Sequence, residues 1–181
     1  VLVEGDVLTA VVEGSATNVG DPGVNKVTSY MVTRGNKDVT GNYTFTDSVD
    51  GKLTINKRTV TLTSETASKE YDGTPLTKPE VAVTGDGFVA GEVSDITATG
   101  SVTFVHEGEV TNTITYTTGE KFNADNYTIT KNEGKLSITK RTDIIVITTP
   151  TRSRAYNGKK LLDYQCTYTG TILDAPSSTA F

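Results

Sequence analysis

Tryptophan is absent from the 181 residues, and cysteine, histidine and methionine occur once each. A lone cysteine closes no intrachain disulfide, and a single histidine without a cysteine cluster gives no zinc-ligand spacing. Long apolar runs are missing too. No stretch approaches the roughly 20 residues that cross a bilayer, and the N-terminus lacks the basic start and apolar core of a signal peptide, so no membrane insertion is expected. The chain starts at Val1 rather than Met and reads as a piece cut from a longer polypeptide. Positive charge is scarce and scattered. The formal net charge is -5 and the sequence pI about 4.9, so no basic stripe exists to neutralise phosphates and nucleic acid is not an expected partner.

Threonine is the commonest residue, with valine and tyrosine frequent. β-branched and aromatic side chains suit a pleated, half-buried surface, which points to strands. The chain also repeats itself. Asn42-Tyr43-Thr44-Phe45-Thr46 and Gly51 to Arg58 return as Asn126 to Thr130 and Gly134 to Arg141, at an offset of 83 to 84 residues. Ser68 to Leu76 returns loosely as Ser153 to Leu161, and Leu2 to Asp6 echoes Phe88 to Glu92. Recurrence at one spacing is the signature of tandem modules, here of about 84 residues. Ending a unit after each Lys-Arg pair gives residues 1–58 as the back part of one repeat, 59–141 as a complete repeat, and 142–181 as the front part of a degenerate third. A frame starting near Leu2 would instead give two whole units.

Within 59–141, two-residue alternation pairs Val60 with Leu62, Val81 with Val83, Val102 with Phe104, Ile114 with Tyr116, Tyr127 with Ile129, and Leu136 with Ile138 on common faces. This predicts about six strands per unit, separated by glycine turns, with a short helical turn near Val89 to Ile96. The expected fold is mainly β, built of tandem small β-grasp-like or compact β-sandwich modules.

Few residues suggest chemistry. His106 has no recognisable partner for acid–base work and reads as an exposed turn residue. Cys166 falls on the position of Val81, the inward face of a strand, where a thiol behaves as a small buried hydrophobe. The acidic loops Asp47 to Gly51 and Gly85-Asp86-Gly87 do not match EF-hand spacing. The Asn-Tyr-Thr triplets at Asn42 and Asn126 match the glycosylation pattern but read as fold signature. Phosphate-binding loops and Gly-x-Ser-x-Gly are absent, so no catalytic residue, metal or cofactor is expected. Tyr71-Asp72-Gly73, echoed by Tyr156-Asn157-Gly158, reads first as a turn with glycine at positive φ. An exposed tyrosine beside a carboxylate also suits sugar stacking, making Tyr71, Asp72, Tyr116 and Tyr156 the candidate ligand contacts.

The Lys69 to Leu76 opening, the Gly85 to Gly91 middle and the Asn126 to Lys140 ending together resemble the MBG and YDG repeat families of bacterial surface proteins. The first segment carries the ending, and the third a degenerate opening in which Lys160 replaces Pro75 and Asp174 to Phe181 has no counterpart. The resemblance implies secreted, wall-attached, multidomain proteins of Gram-positive bacteria, with mucin-binding proteins among their relatives and a β-grasp-like module. Anchoring would lie outside this stretch. The expected role is a non-catalytic stalk or spacer of an adhesin, with carbohydrate or mucin binding as the alternative and host glycan, mucin or neighbouring modules of the same chain as partners. Residues 1–58 and 142–181 are complementary parts of a unit, so the tail of one molecule is suited to complete the head of another by strand addition.

Overall fold

The computed structural model describes residues 1–170, so the unmatched tail Asp174 to Phe181 lies outside the described residues. The chain is mainly β. In order the strands are β1 (Asp6–Glu13), β2 (Gly23–Arg34), β3 (Lys37–Asp38), β4 (Gly51–Leu53), β5 (Arg58–Ser64), β6 (Ala67–Glu70), β7 (Leu76–Thr77) and β8 (Val81–Gly85). They continue as β9 (Val93–Ala98), β10 (Ser101–Val102), β11 (Val110–Thr111), β12 (Ile114–Thr118), β13 (Tyr127–Asn132), β14 (Lys135–Thr139), β15 (Val146–Thr148) and β16 (Thr167–Thr169). Helix among the described residues is confined to single 3₁₀ turns at Thr40–Asn42, Val105–Glu107 and Ala124–Asn126, and none is long and apolar enough to cross a membrane.

Two compact units form. The first takes Val1–Thr63, Val81–Ile96 and Thr115–Asn132; the second takes Ser64–Glu80, Thr97–Ile114 and the described chain from Glu133. In the first unit, β1 and β2 make a long antiparallel hairpin, Asp6 opposite Arg34 and Glu13 opposite Lys26, with a register shift between Val11 and Val12. A further sheet has the order β13-β5-β8, with β13 and β5 parallel from Tyr127 opposite Arg58 to Asn132 opposite Thr63. Alternation along β5 buries Val60 and Leu62 while Thr59 and Thr63 face water.

In the second unit, β14 lies between antiparallel β11 and parallel β6. Val102, Leu136 and Ile138 form its core, with Ala67, Tyr71, Leu76, Val105 and Val110 packed against them. Beside these, Asn112 is wholly buried. Its side-chain oxygen accepts the Gly100 N–H at 3.0 Å, and its amide donates to the carbonyls of Lys78 at 2.9 Å and Glu65 at 3.2 Å. Buried polar groups persist when their partners are supplied, and this one ties three loops together. The buried Ser64 hydroxyl adds a bond to the Asn112 carbonyl at 2.6 Å and receives the Gly134 N–H at 3.0 Å. Glycine is needed at 134, because a Cβ there would stand 2.3 Å from the Glu65 carbonyl oxygen.

Several expectations are corrected. Residues 59–141 carry ten strands, β5 to β14, because β6, β7, β9 and β11 are too short or too irregular to show alternation. The helical turn is confined to the Val89 to Glu92 region, closed by Glu92 N–H to the Val89 carbonyl at 3.1 Å, and Val93 onward is β9. Asp95 adopts a positive φ of 52°, so Val93 and Ile96 turn inward three residues apart and mimic helical spacing. Val83 and Phe104, assigned to covered faces, are 42% and 46% exposed. β8 pairs within its sheet with β5 alone, and Phe104 lies beyond the end of β10 at the start of a 3₁₀ turn. Cys166 is exposed rather than buried, since every described residue from Thr142 onward is exposed and β15 pairs with β16 alone. Two three-residue strands joined to each other give a thiol nothing to hide behind.

The first unit also contains one hydrogen-bonded arrangement twice. The Tyr43 hydroxyl receives the Val3 N–H at 3.0 Å and donates to the Asp6 carboxylate; the Tyr127 hydroxyl receives the Val89 N–H at 3.1 Å and donates to Glu92 at 2.6 Å. Each tyrosine follows a 3₁₀ turn ending in asparagine, and each carboxylate follows a glycine at positive φ, Gly5 at 90° and Gly91 at 81°. Asn42 and Asn126 thus mark a turn that aims a tyrosine hydroxyl at a carboxylate. The surroundings differ: Tyr127 is buried and Tyr43 half-buried, and in the second unit Ile138 is 5% exposed while its counterpart Ile55 is 39% exposed.

Candidate functional site

The four candidate contacts fall in different surroundings. Tyr71 is half-buried against the Val102, Leu136 and Ile138 core, its ring centroid 6.2 Å from that of Phe104, and its N–H donates to the Thr139 carbonyl at 3.0 Å. It covers the sheet edge rather than presenting a free face. Asp72 is fully engaged by its own turn. Lys69 Nζ approaches its carboxylate at 2.9 and 3.1 Å, and the Thr74 N–H and hydroxyl donate to it at 2.9 and 2.8 Å. Lys69, then the two Thr74 donors, hold this carboxyl well below the usual range. Gly73 follows at a φ of 85°, as the turn requires. Tyr156 is 97% exposed with no ring partner among the described residues, although Gly158 still takes a positive φ and Asn157 Oδ1 accepts the Lys159 N–H at 3.2 Å. The echo keeps the turn and loses the packing.

Tyr116 lies in the first unit, in an aromatic cluster that sequence reasoning did not assemble. Phe88 is its nearest ring at 5.8 Å, and Phe88 also meets Tyr127 at 5.4 Å and Phe122 at 6.3 Å, while Phe122 stacks on Tyr127 at 5.4 Å. Lys131 Nζ stands 4.9 Å over the Tyr116 ring, a cation–π geometry. Phe88, Tyr116 and Phe122 are each half-buried, so part of each ring meets water. An open recess of about 450 Å³, lined by Val89 to Glu92 with Glu120 and Lys121, belongs to the same unit. Glu92 is held by Tyr127, whose hydroxyl is pushed above its ordinary pKa first by burial and then by this bond to the carboxylate. Half-exposed ring faces, and in the same unit a recess lined by both apolar and charged residues, suit contact with a saccharide's C–H faces and hydroxyls. The signal for Phe88 was present in the sequence, inside the Gly85-Asp86-Gly87-Phe88 motif; Phe122 and Lys131 gave none.

His106 is exposed in the Val105–Glu107 turn, stacked on Phe104 at 5.5 Å. Asp86 serves structure. Its carboxylate accepts the Thr59 N–H at 2.8 Å and hydroxyl at 2.9 Å, and these bonds depress its pKa. Among the described residues no three His, Cys, Asp or Glu side chains gather as a metal site. No family model, no curated protein and no solved structure matches this chain.

Proposed function

We propose that the chain is a non-catalytic spacer: tandem β-grasp-like modules of the MBG/YDG kind from the stalk of a secreted bacterial surface adhesin. The carrying observation is the parallel pairing of β5 with β13 and of β6 with β14. Parallel strands need a long crossover, which here pairs each of the first two strands of 59–141 with one of its last two, β5 with β13 and β6 with β14, and leaves the module's entry and exit on strands. β5 starts at Arg58, the last residue of the first repeat, and runs straight into the next with no Pro/Gly/Ser-rich linker, which suits modules strung in series. The repeated tyrosine–carboxylate arrangement supports the same reading, since one local structure recurs at the repeat spacing.

A second reading, carbohydrate or mucin binding, is favoured by the aromatic cluster around Tyr116 and the recess in its unit. A mucin and glycan array separates the two. The spacer reading expects no saturable binding by the purified chain. Binding that is lost in Tyr116→Ala or Tyr156→Ala variants would overturn it and place the ligand.

A further inference from the structure

A spacer that holds a distal partner away from a wall carries tension along its chain, and the following inference rests on that reading. We propose that residues 58–142 form a shear clamp, in which two parallel ladders, pinned at entry and exit by Arg-Thr clips, bear load along the chain.

Tension entering from Lys57 pulls β5 by its N-terminal end. β5 is bonded in parallel to β13 from Arg58–Tyr127 to Thr63–Asn132, and β13 continues toward the exit from its C-terminal end. The two strands are therefore drawn in opposite senses along their common axis, so the paired positions must fail together rather than in sequence. The exit repeats the arrangement. Tension leaving past Thr139 draws β14 by its C-terminal end along parallel β6, paired from Leu136–Ala67 to Thr139–Glu70.

The points where load enters and leaves are fastened alike. At the entry, the Thr59 N–H and hydroxyl both bond one Asp86 carboxylate oxygen, at 2.8 and 2.9 Å, the Asp86 N–H returns to the Thr59 carbonyl at 2.7 Å, and Arg58 Nε donates to the Gly87 carbonyl at 3.0 Å. At the exit, the Thr142 N–H and hydroxyl both bond one Glu70 carboxylate oxygen, at 2.6 and 3.1 Å, and Arg141 donates to the Tyr71 carbonyl at 3.3 Å. Both clips use the Arg-Thr pair that follows a lysine at each repeat ending, Lys57-Arg58-Thr59 and Lys140-Arg141-Thr142. A turn between freely hinged domains would have no use for either.

The test is single-molecule force spectroscopy on the full chain carrying Cys166→Ser and two introduced cysteine handles. Handles at Lys57→Cys and Thr149→Cys pull through both clips and load the ladders in shear. Handles at Lys57→Cys and Asp125→Cys pull β5 and β13 from their adjacent N-terminal ends and open the ladder bond by bond. At a common force, unfolding through the first pair is expected to be at least about tenfold slower than through the second, because forced unfolding reads the unfolding rate in the pulled direction. Glu70→Ala is expected to speed unfolding in the first geometry and leave the second unchanged. Equal rates in the two geometries would overturn the clamp and leave an unloaded spacer standing, whereas variant-sensitive binding on the glycan array would overturn the spacer whatever the force data show.

Discussion

Replacing Asn112 by alanine removes the side chain that joins three loops of the second unit. The Gly100 N–H, bonded in a buried setting, loses its acceptor, at a cost of ~1–3 kcal/mol for a stranded donor. The Glu65 and Lys78 carbonyls are partly buried and regain some water, so each forfeits the smaller net value of ~0.5–1.5 kcal/mol. The expected destabilisation is therefore about 2–6 kcal/mol. Asn25 is the control. It lies in β2 opposite Gly51 of β4, much as the Asn112 N–H bonds the Gly134 carbonyl, but its side chain is only half-buried where that of Asn112 is wholly buried. Asn25→Ala should cost no more than about 0.5 kcal/mol. Urea denaturation followed by circular dichroism gives both values, and amide exchange gives a local readout, since the Gly100 N–H should lose protection in Asn112→Ala. Equal costs for the two substitutions, or an unchanged Gly100 exchange rate, would refute the reasoning.

Ile138→Thr is expected to destabilise by about 2–4 kcal/mol because it opens a buried site, while Ile55→Thr at the matching repeat position should stay within about 0.5 kcal/mol, as measured by the same urea curves. Gly134→Ala forces a methyl into the Glu65 carbonyl and is expected to lower the thermal midpoint clearly, whereas Gly41→Ala, which meets open space at ordinary φ, should barely move it. Asp72 and Asp86 are depressed below their ordinary value of 3.8, so the stability they add is present above that value and lost as pH falls through the lower folded-state value. The thermal midpoint should thus decline below about pH 4, and less steeply in Asp86→Asn; a midpoint flat down to about pH 2.5 would contradict this. Ile145 and Ile147, 68% and 71% exposed, stand at the repeat positions of buried Val60 and Leu62, and Val12 and Ile55 are exposed at the other end of the chain. Tail-to-head strand addition then predicts a light-scattering mass that rises with concentration and returns to monomer in Ile147→Lys; a concentration-independent monomer mass would count against it.

The sequence by itself determined the strand-rich class and most of the core. Two-residue alternation picked out Val60, Leu62, Val102, Ile114, Tyr127, Leu136 and Ile138, all of them buried, because the pleat sends alternate side chains to one face whatever the partner strand. It determined the Tyr71-Asp72-Gly73 turn as well, since that conformation depends on residues within a few positions of one another. The tertiary structure alone decided which strands run parallel, that Asn112 holds three loops, that Phe88 and Phe122 join Tyr116, and that Val83, Phe104 and Cys166 stay exposed. Each of these depends on what lies opposite a residue in space, from chain tens of residues away. Periodicity names the face of a strand, and only a partner laid across it makes that face an interior.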